Sequence, residues 1–412
     1  MPQKFAFKLI SKNKNVLITA PTGSGKTLSS FLSIINTLFD YSLNGNLEDK
    51  IYCIYVSPLR ALNNDIYKNL THPLEEIYDL IVAEKGINII KQNIKKPTIG
   101  IRTGDTEQKE RTTPESLSIL LSSIKFSENL KSVQYLIIDE IHELANNKRG
   151  IHLSLSIERL SYIVGKELVR IGIGATLYPL EEAAKFLVGY KNNELRNCII
   201  VDASWSKKLD LELISPVDDL IYSPSSLVEN NTYKILNEII QQNKTTLIFT
   251  NTRSNTERVI FNLKKKFNYD LDIAAHHGSL SRASRLDVED MLKKGSLKCV
   301  VSSTSLELGL DIGTINNVVQ LGSPKSITRL IQRIGRSGHS FKDTAKGEVI
   351  VLDRDDLVEC AVMINSAREK HLDSFKVPQN ALDVLAQHLL GMSLIKTWNV
   401  DEAYKLIKAS YS

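Results

Sequence analysis

Only four cysteines occur in 412 residues, Cys53, Cys198, Cys299 and Cys360, and no two of them stand as C-x-x-C. That spacing speaks against a zinc site or an iron–sulfur cluster and for isolated buried thiols. Long hydrophobic runs are missing too, since no apolar stretch nears the ~20 residues of a membrane span. Lys4, Lys8, Lys12 and Lys14 interrupt the N-terminal region, which lacks the continuous core of a signal peptide. A cytoplasmic protein without a membrane is the expectation. No strong charge of either sign is present: the formal net charge of +5 tolerates a polyanionic partner without requiring one. Low-complexity tracts and short fixed repeats are absent as well, which excludes linker arrays and solenoids.

What is present is ordinary globular material, 42% hydrophobic and 24% charged, at a length that predicts two or three domains of about 150 residues. Apolar β-rich runs alternate with amphipathic stretches at Val16 to Ile18, Ile51 to Val56, Tyr135 to Ile138 and Val169 to Ile173. The alternation resumes at Thr246 to Phe249, Leu271 to Ala274, Cys299 to Val301, Val318 to Leu321 and Glu348 to Leu352. This is parallel α/β patterning in two halves. Between them, around residues 202 to 228, Pro216, Pro224 and several serines break the pattern and predict a boundary. After about residue 368 the strand rhythm stops, and Ala381, Leu382, Val384, Leu385, Leu389 and Leu390 form a helical stripe.

Behind Val16-Leu17-Ile18 stands Ala20-Pro21-Thr22-Gly23-Ser24-Gly25-Lys26-Thr27. Gly23 and Gly25 let the backbone curl until successive N–H groups face an anion. Leu28, Phe31, Leu32, Ile35 and Leu38 predict a helix whose positive end points at the same place. In such a loop Thr22, Gly23, Ser24 and Gly25 cradle phosphates, Lys26 reaches the terminal ones and Thr27 holds Mg²⁺. A glycine turn that happens to carry a lysine is the plainer alternative, disfavoured by the strand before it and the helix after it. ATP or GTP is the implied substrate.

The strand Tyr135-Leu136-Ile137-Ile138 runs into Asp139-Glu140-Ile141-His142, which puts two carboxylates at a strand's C-terminal end, where open α/β sheets bind ligands. Asp139 suits Mg²⁺, and Glu140 suits orienting and deprotonating an attacking water. Standing alone, the tetrapeptide would read as a solvated strand end. In the second half, Gln332-Arg333-Ile334-Gly335-Arg336-Ser337-Gly338-His339 follows a predicted helix from Ile327 to Ile331. Arginine there offers a planar fork for charge on a transferring phosphoryl group; a basic helix end facing solvent is the plainer reading.

The order of these motifs resembles the superfamily-two DExH-box helicases, and within them the large helicase-related (Lhr) proteins. The resemblance also rests on Ser57-Pro58-Leu59-Arg60-Ala61-Leu62, Arg102-Thr103-Gly104-Asp105-Thr106, Thr113-Pro114-Glu115-Ser116-Leu117 and Gly174-Ala175-Thr176. In the second half it rests on Thr250-Asn251-Thr252-Arg253, His276-His277-Gly278 and the run from Ser303 to Gly313. It implies an α/β fold of two tandem RecA-like parallel-sheet domains, a P-loop NTPase clamping ATP, followed by the start of a winged-helix domain. The expected bounds are 1–203 for the ATP-binding domain, 204–228 for a linker, 229–367 for the second domain and 368–412 for the truncated accessory domain.

By position the resemblance implies that Gln3 reads adenine and that Gly309 and Asp311 contact the nucleotide from the second domain, Asp311 at the ribose. Glu140, His142, Gln332, Arg333 and Arg336 would serve catalysis, with Arg336 as the finger and His142 and Thr176 as couplers. Pro58, Arg60, Gly104, Thr113 and Glu115 on one domain, with Thr252, Arg253, His277, Thr304 and Ser305 on the other, would hold the strand. Pro58 and Pro114 also fit simple strand ends, and Thr113 a helix cap with Ser116; neither conflicts with a backbone grip. Such a grip predicts weak sequence preference and strong salt dependence. His276 and His277 lack acidic or cysteine companions at ligand spacing and are expected to be hydrogen-bonding groups.

Three departures from the family follow. The segment upstream of the phosphate loop is short, which weakens the adenine pocket, and His339 stands where many helicases place a second finger arginine. Between Gly104 and Thr112 there is too little chain for a crossover and a strand, so either the sheet has lost a strand or residues are missing between Arg111 and Thr112. The stretch from Val377 to His388 resembles the beginning of a winged-helix domain, and its helix is expected to fray or to pack on the second domain. The expected function is an ATP- and Mg²⁺-dependent helicase or translocase, a monomeric motor core cut at both ends. It would move 3′ to 5′ on single-stranded DNA or RNA and tailed duplexes, with DNA repair as the implied setting. A nucleotide-switched clamp that remodels nucleic acid without unwinding is the alternative.

Overall fold

A computed structural model describes residues 2–21, 24–58, 60–85, 94–100, 113–203, 208–269, 272–307, 313–338 and 344–412. The chain divides into two compact units, one of Met1–Ala20, Ser24–Ala203 and Ser374–Ser412, the other of Pro21–Gly23 and Ser204–Asp373. Among the described residues no helix is long and apolar enough to cross a membrane.

The first unit is built on a five-stranded sheet ordered β2-β3-β4-β1-β7, from β1 (Val16–Thr19), β2 (Cys53–Val56), β3 (Tyr135–Ile138), β4 (Val169–Gly174) and β7 (Ile199–Asp202). All its pairings are parallel, with Val16 opposite both Ile171 and Ile199 and Tyr135 opposite Cys53 and Val169. Every residue of β1, β3 and β4 is buried, which is why these strands read as unbroken apolar runs: a parallel sheet is covered on both faces. Because the strands are parallel, the loops after β1, β2, β3 and β4 leave from one edge. A hairpin of β5 (Tyr190–Lys191) and β6 (Glu194–Leu195) precedes β7.

The helix Lys26–Leu43 behind β1 buries Ile34, Ile35 and Phe39 together with Ser29, Ser30, Ser33 and Ser42. Its inward face is therefore rotated from the leucine-rich stripe expected from sequence; Ser29 and Ser30 return their hydroxyls to the Gly25 and Thr27 carbonyls at 2.7 and 2.6 Å, and Ser42 donates to the Lys95 carbonyl at 2.5 Å.

The second unit carries a six-stranded parallel sheet ordered β10-β11-β9-β12-β13-β8. Its strands are β8 (Leu209–Ile214), β9 (Thr246–Phe249), β10 (Ile273–His276), β11 (Cys299–Ser302), β12 (Asn317–Leu321) and β13 (Ala345–Ile350). The expected linker 204–228 is corrected here, because β8 lies inside it and pairs with β13 from Leu209 opposite Ala345 to Ile214 opposite Ile350. Leu209, Leu211 and Leu213 alternate with Asp210 and Glu212, the period of an edge strand with one covered face, and Leu211 is buried. Cys299 and Cys360 are buried thiols, as expected; Cys53 and Cys198 are only half-buried.

The C-terminal helices depart furthest from expectation. The helices Leu382–Ser393 and Val400–Lys408 pack on the helix Lys148–Val164 of the first unit, neither frayed nor placed on the second. The inward face is Val384, His388 and Met392, spaced four apart, whereas Leu382 and Leu390 point outward. Val384 joins Ile151 and Leu155 in one apolar cluster, and Met392 joins Ala403 and Leu406 in another. Polar ties run along the same contact: Lys148 Nζ to Asp383 Oδ2 at 2.6 Å, the Tyr162 hydroxyl to Glu402 Oε1 at 2.6 Å, and Lys396 Nζ to the Tyr162 hydroxyl oxygen at 2.6 Å.

At the middle of this contact the rings of His152 and His388 meet edge-on at 4.5 Å, and Arg159 Nη1 lies 3.4 Å from His388 Nδ1. Burial, then neighbouring His152 and Arg159, push His388 down to about 3, and burial lowers His152 as well. A histidine depressed from 6.5 in this way contributes stability that is intact above pH 6.5 and lost as pH falls towards 3. Between pH 7 and pH 5 the docking of the helix Leu382–Ser393 is expected to weaken by about 2 kcal/mol. The measurement is amide exchange across that helix; in His388→Gln the pH dependence should largely vanish.

Candidate nucleotide site and nucleic-acid interface

The chain turns out of β1 at Ala20, whose N–H donates to the Gly174 carbonyl at 3.2 Å. Gly25 then adopts φ +77° and opens the helix Lys26–Leu43. A Cβ at Gly25 would be strained by that φ and would come within 2.4 Å of Gln3 Nε2, so the position requires glycine. Gln3 Nε2 donates to the Ser24 carbonyl at 3.3 Å, while its Oε1 is buried with no hydrogen-bond partner among the described residues. Lys26 is buried, and its Nζ likewise has no hydrogen-bond partner among the described residues. Thr27 is half-buried in the first turn; Thr22 and Gly23 lie outside the described residues.

Asp139 and Glu140 follow β3, both 4% exposed. Asp139 Oδ1 accepts the Glu140 N–H at 2.8 Å, and its Oδ2 accepts the Tyr55 hydroxyl from β2. Burial and the neighbouring Glu140 push the Asp139 carboxyl up to about 6, against the Tyr55 hydrogen bond and the Lys26 ammonium. The Tyr55 phenol is driven well above its usual value by burial and by the charge of Asp139, so it remains a donor. Phe31 lies against it at 5.7 Å between ring centres. In sequence a tyrosine in an apolar strand reads as core, and only the pairing of β2 with β3 brings Tyr55 to Asp139.

Glu140 holds φ +45°, a left-handed conformation that costs a non-glycine residue roughly 1–2 kcal/mol and tends to persist where function requires it. The Ile141 N–H donates to the Ile173 carbonyl at 3.0 Å, which locks the turn to β4. Buried His142 sits with Nδ1 3.6 Å from Glu140 Oε2 and Nε2 3.4 Å from Glu143 Oε1. Thr176 is half-buried two residues beyond β4, in the loop where the Ala175 carbonyl accepts the Thr19 hydroxyl at 3.5 Å. The structure therefore assembles Gln3, Gly25, Lys26, Asp139, Glu140 and His142 at the carboxyl edge of one sheet.

On the same edge, Pro58 is buried just past β2, and Thr113 caps the helix Pro114–Leu121, its Oγ1 accepting the Ser116 N–H at 3.4 Å. Glu115 is engaged by a residue that the motifs did not mark. Arg149 donates from Nε to Glu115 Oε1 at 2.6 Å and from Nη2 to Oε2 at 3.3 Å, and both Nη atoms reach the Pro58 carbonyl at 3.2 Å. Burial works against ionisation of Glu115, yet the Arg149 hydrogen bonds and charge hold it down to about 2. Glu115, expected as a strand contact, stands here in a half-exposed ion pair with Arg149. Arg60 opens the helix Arg60–Lys85; its side chain, Gly104, and the junction at Arg111 and Thr112 lie outside the described residues.

In the second unit Thr252 caps the helix Arg253–Phe267, accepting the Asn255 N–H at 3.1 Å, and Arg253 Nη1 donates to Ser279 Oγ at 2.6 Å. His277 accepts the Ser279 N–H at Nδ1, 3.3 Å, and so carries its ring hydrogen on Nε2, 2.5 Å from Glu257 Oε1. Ser305 Oγ donates to the His276 carbonyl at 2.8 Å, and Thr304 beside it is exposed. Both histidines do have glutamate partners, His276 meeting Glu289 Oε1 at 3.2 Å, but among the described residues no group of three or more metal-ligating side chains forms.

Arg333 and Arg336 separate in role. Arg333, 1% exposed in the helix Ile327–Ile334, donates from Nη2 to Glu307 Oε2 at 2.9 Å and from Nη1 to Gln320 Oε1 at 2.7 Å, over the Phe249 ring. These bonds hold it inside the second unit. Half-buried Arg336 is held by the Glu307 carbonyl at 3.0 Å from Nη2 and 3.3 Å from Nε. Gln332 is buried beside Arg333. Gly309, Asp311 and His339 lie outside the described residues.

Two parallel-sheet units, the first with a glycine-lysine loop beside an acidic pair and the second with an arginine anchored on the carbonyl of a glutamate in the turn after β11, have the plan of the two-domain helicases. Residues 1–183 match the DEAD/DEAH box helicase family and residues 231–340 the helicase conserved C-terminal domain. The chain belongs to this family, and within it to the Lhr proteins. It is 54% identical to ATP-dependent helicase Lhr-Core protein 2 of Thermococcus barophilus and 53% identical to Lhr-Core of Methanothermobacter thermautotrophicus, over 100% and 99% of this chain. In each case it spans 48% of the relative, about half the length. The structure of Mycobacterium smegmatis helicase Lhr bound to ssDNA and AMP-PNP superposes with a TM-score of 0.85 at 34% identity, covering 99% of this chain and 53% of that one.

Proposed function

We propose that this chain is the ATP-driven motor portion of a helicase or translocase, moving 3′ to 5′ along single-stranded DNA as a cytoplasmic monomer. The observation that carries the reading is Lys26, a buried ammonium without a hydrogen-bond partner among the described residues, beside the acidic pair Asp139 and Glu140. A buried cation is costly unless an anion meets it, and the terminal phosphates of ATP are that anion. Gln3 Oε1, equally unpartnered, fits the exocyclic amine of adenine. The relative solved with ssDNA and AMP-PNP supports a nucleotide and a single strand as the ligands.

The Thr27 hydroxyl and the Asp139 carboxylate would hold Mg²⁺, which when bound neutralises phosphate charge. Glu140 takes the proton of the attacking water, and buried His142 against its Oε2 relays its state towards Thr176. The second unit contributes Arg336 to the charge on the transferred phosphoryl group, with Arg333 orienting it through Glu307. Pro58, Arg60, Gly104 and Thr113 of the first unit, and Thr252, Arg253, His277, Thr304 and Ser305 of the second, grip the sugar–phosphate backbone. Residues 1–203 form the ATP-binding domain in this reading, 229–367 with β8 the second RecA-like domain, and 368–412 the start of a winged helix.

Steady-state ATP hydrolysis with and without single-stranded DNA or RNA tests it. Stimulation of at least about tenfold is expected, with nucleotide binding lost in Lys26→Ala. Hydrolysis that ignores nucleic acid would sink the motor reading. Displacement of a tailed duplex separates a helicase from a nucleotide-switched clamp, which would hydrolyse without displacing.

A further inference from the structure

Arg149 draws together three segments that are far apart in the chain. Its guanidinium spans both carboxylate oxygens of Glu115, at 2.6 and 3.3 Å, and the carbonyl of Pro58, at 3.2 Å from each Nη. Pro58 lies two residues beyond β2, and Glu115 stands in the first turn of the helix Pro114–Leu121.

The base of the side chain is itself fixed. Asn147 caps the helix Lys148–Val164 and accepts the Arg149 N–H at 3.0 Å. Gly150 lets that helix start against the His142–Ala145 turn, where a Cβ would come within 2.0 Å of the Leu144 carbonyl oxygen. Lys148 is tied to Asp383 of the C-terminal helix. Arg149 is thus held from behind by the acidic-pair turn and by the C-terminal segment.

We infer that Arg149 is a positioning residue for the strand-gripping surface of the first unit, locking the Pro58 loop and the Thr113 cap in one register. The inference rests on the motor reading for what the surface grips. Glu115 then acts as the anchor of Arg149 and not as a strand contact, because a carboxylate facing a phosphate would repel it. Only a planar fork can meet two carboxylate oxygens and a carbonyl together; an ammonium is a single point.

Two readouts test it on the full chain, amide exchange in the free protein and the strand KM and kcat of stimulated hydrolysis. In Arg149→Gln, exchange across residues 113–121 should quicken about tenfold and the strand KM rise about tenfold, with kcat at saturating strand retained. Arg149→Lys should behave like Arg149→Gln, and Glu115→Ala combined with Arg149→Ala should be no worse than the worse single variant. Unchanged exchange in Arg149→Gln, a wild-type KM in Arg149→Lys, or additive losses in the double variant would each overturn the inference; the second would leave a simple phosphate contact. If the unaltered protein shows no strand stimulation, the motor reading fails, and the inference for this surface falls with it; retained stimulation with unchanged exchange isolates the failure to Arg149.

Discussion

Glu140→Gln should bind ATP as the unaltered protein does while its nucleic-acid-stimulated turnover falls by about 100-fold or more, the usual range for losing a general base. The substitution keeps the shape of a side chain 4% exposed at φ +45°, so the loss would report chemistry and not collapse of the turn. Phosphate release read beside binding of a fluorescent nucleotide measures both. Retained turnover would remove Glu140 from the role.

Stability offers a control of opposite sign. Burial and Glu140 raise the Asp139 carboxyl from 3.8 to about 6, so its contribution to stability is full below pH 3.8 and lost as pH rises through about 6. Removing the neighbouring charge relieves part of that loss. Glu140→Gln should therefore melt higher than the unaltered protein at pH 8, with the gap closing below pH 4. An inactive variant that is also more stable cannot owe its inactivity to unfolding.

Arg333→Ala is expected to destabilise the second unit by about 3–5 kcal/mol, since breaking a buried ion pair strands the remaining charge. Among the described residues the Glu307 carboxylate would keep Arg329 alone, whose Nε is 3.7 Å away, and Gln320 Oε1 would lose its Arg333 donor. Denaturant midpoints measure the cost. Adding Glu307→Gln should recover part of it by removing the orphaned charge. Turnover should stay low in that double variant, because Arg336 depends on the backbone of Glu307 for its orientation. Full recovery of turnover would mean that Arg333 does nothing beyond folding.

The two arginines of Gln332-Arg333-Ile334-Gly335-Arg336 look equivalent in sequence, and only packing distinguishes them. A helix from Ile327 to Ile334 turns Arg333 inward over Phe249 and leaves Arg336 past the helix end. The same holds for Glu115, which resembles a strand contact until Arg149, 34 residues on, takes both of its oxygens. β8 carried a legible alternation but sat in a stretch where prolines and serines dominated the reading.

The sequence by itself determined the parallel α/β plan, the phosphate loop with Lys26 and the placing of Asp139 and Glu140 at a strand end. These are local properties: apolar runs set strands, glycines set the turn, and a few consecutive residues carry the chemistry. The tertiary structure alone decided that Tyr55 holds Asp139, that Arg149 neutralises Glu115, that Arg333 is internal and that the C-terminal helices sit on the Lys148–Val164 helix. Each of those depends on which distant segments share a surface. Burial then fixes the outcome, because a charge or hydroxyl removed from water must find a partner, and that partner is chosen by topology and not by neighbours in the chain.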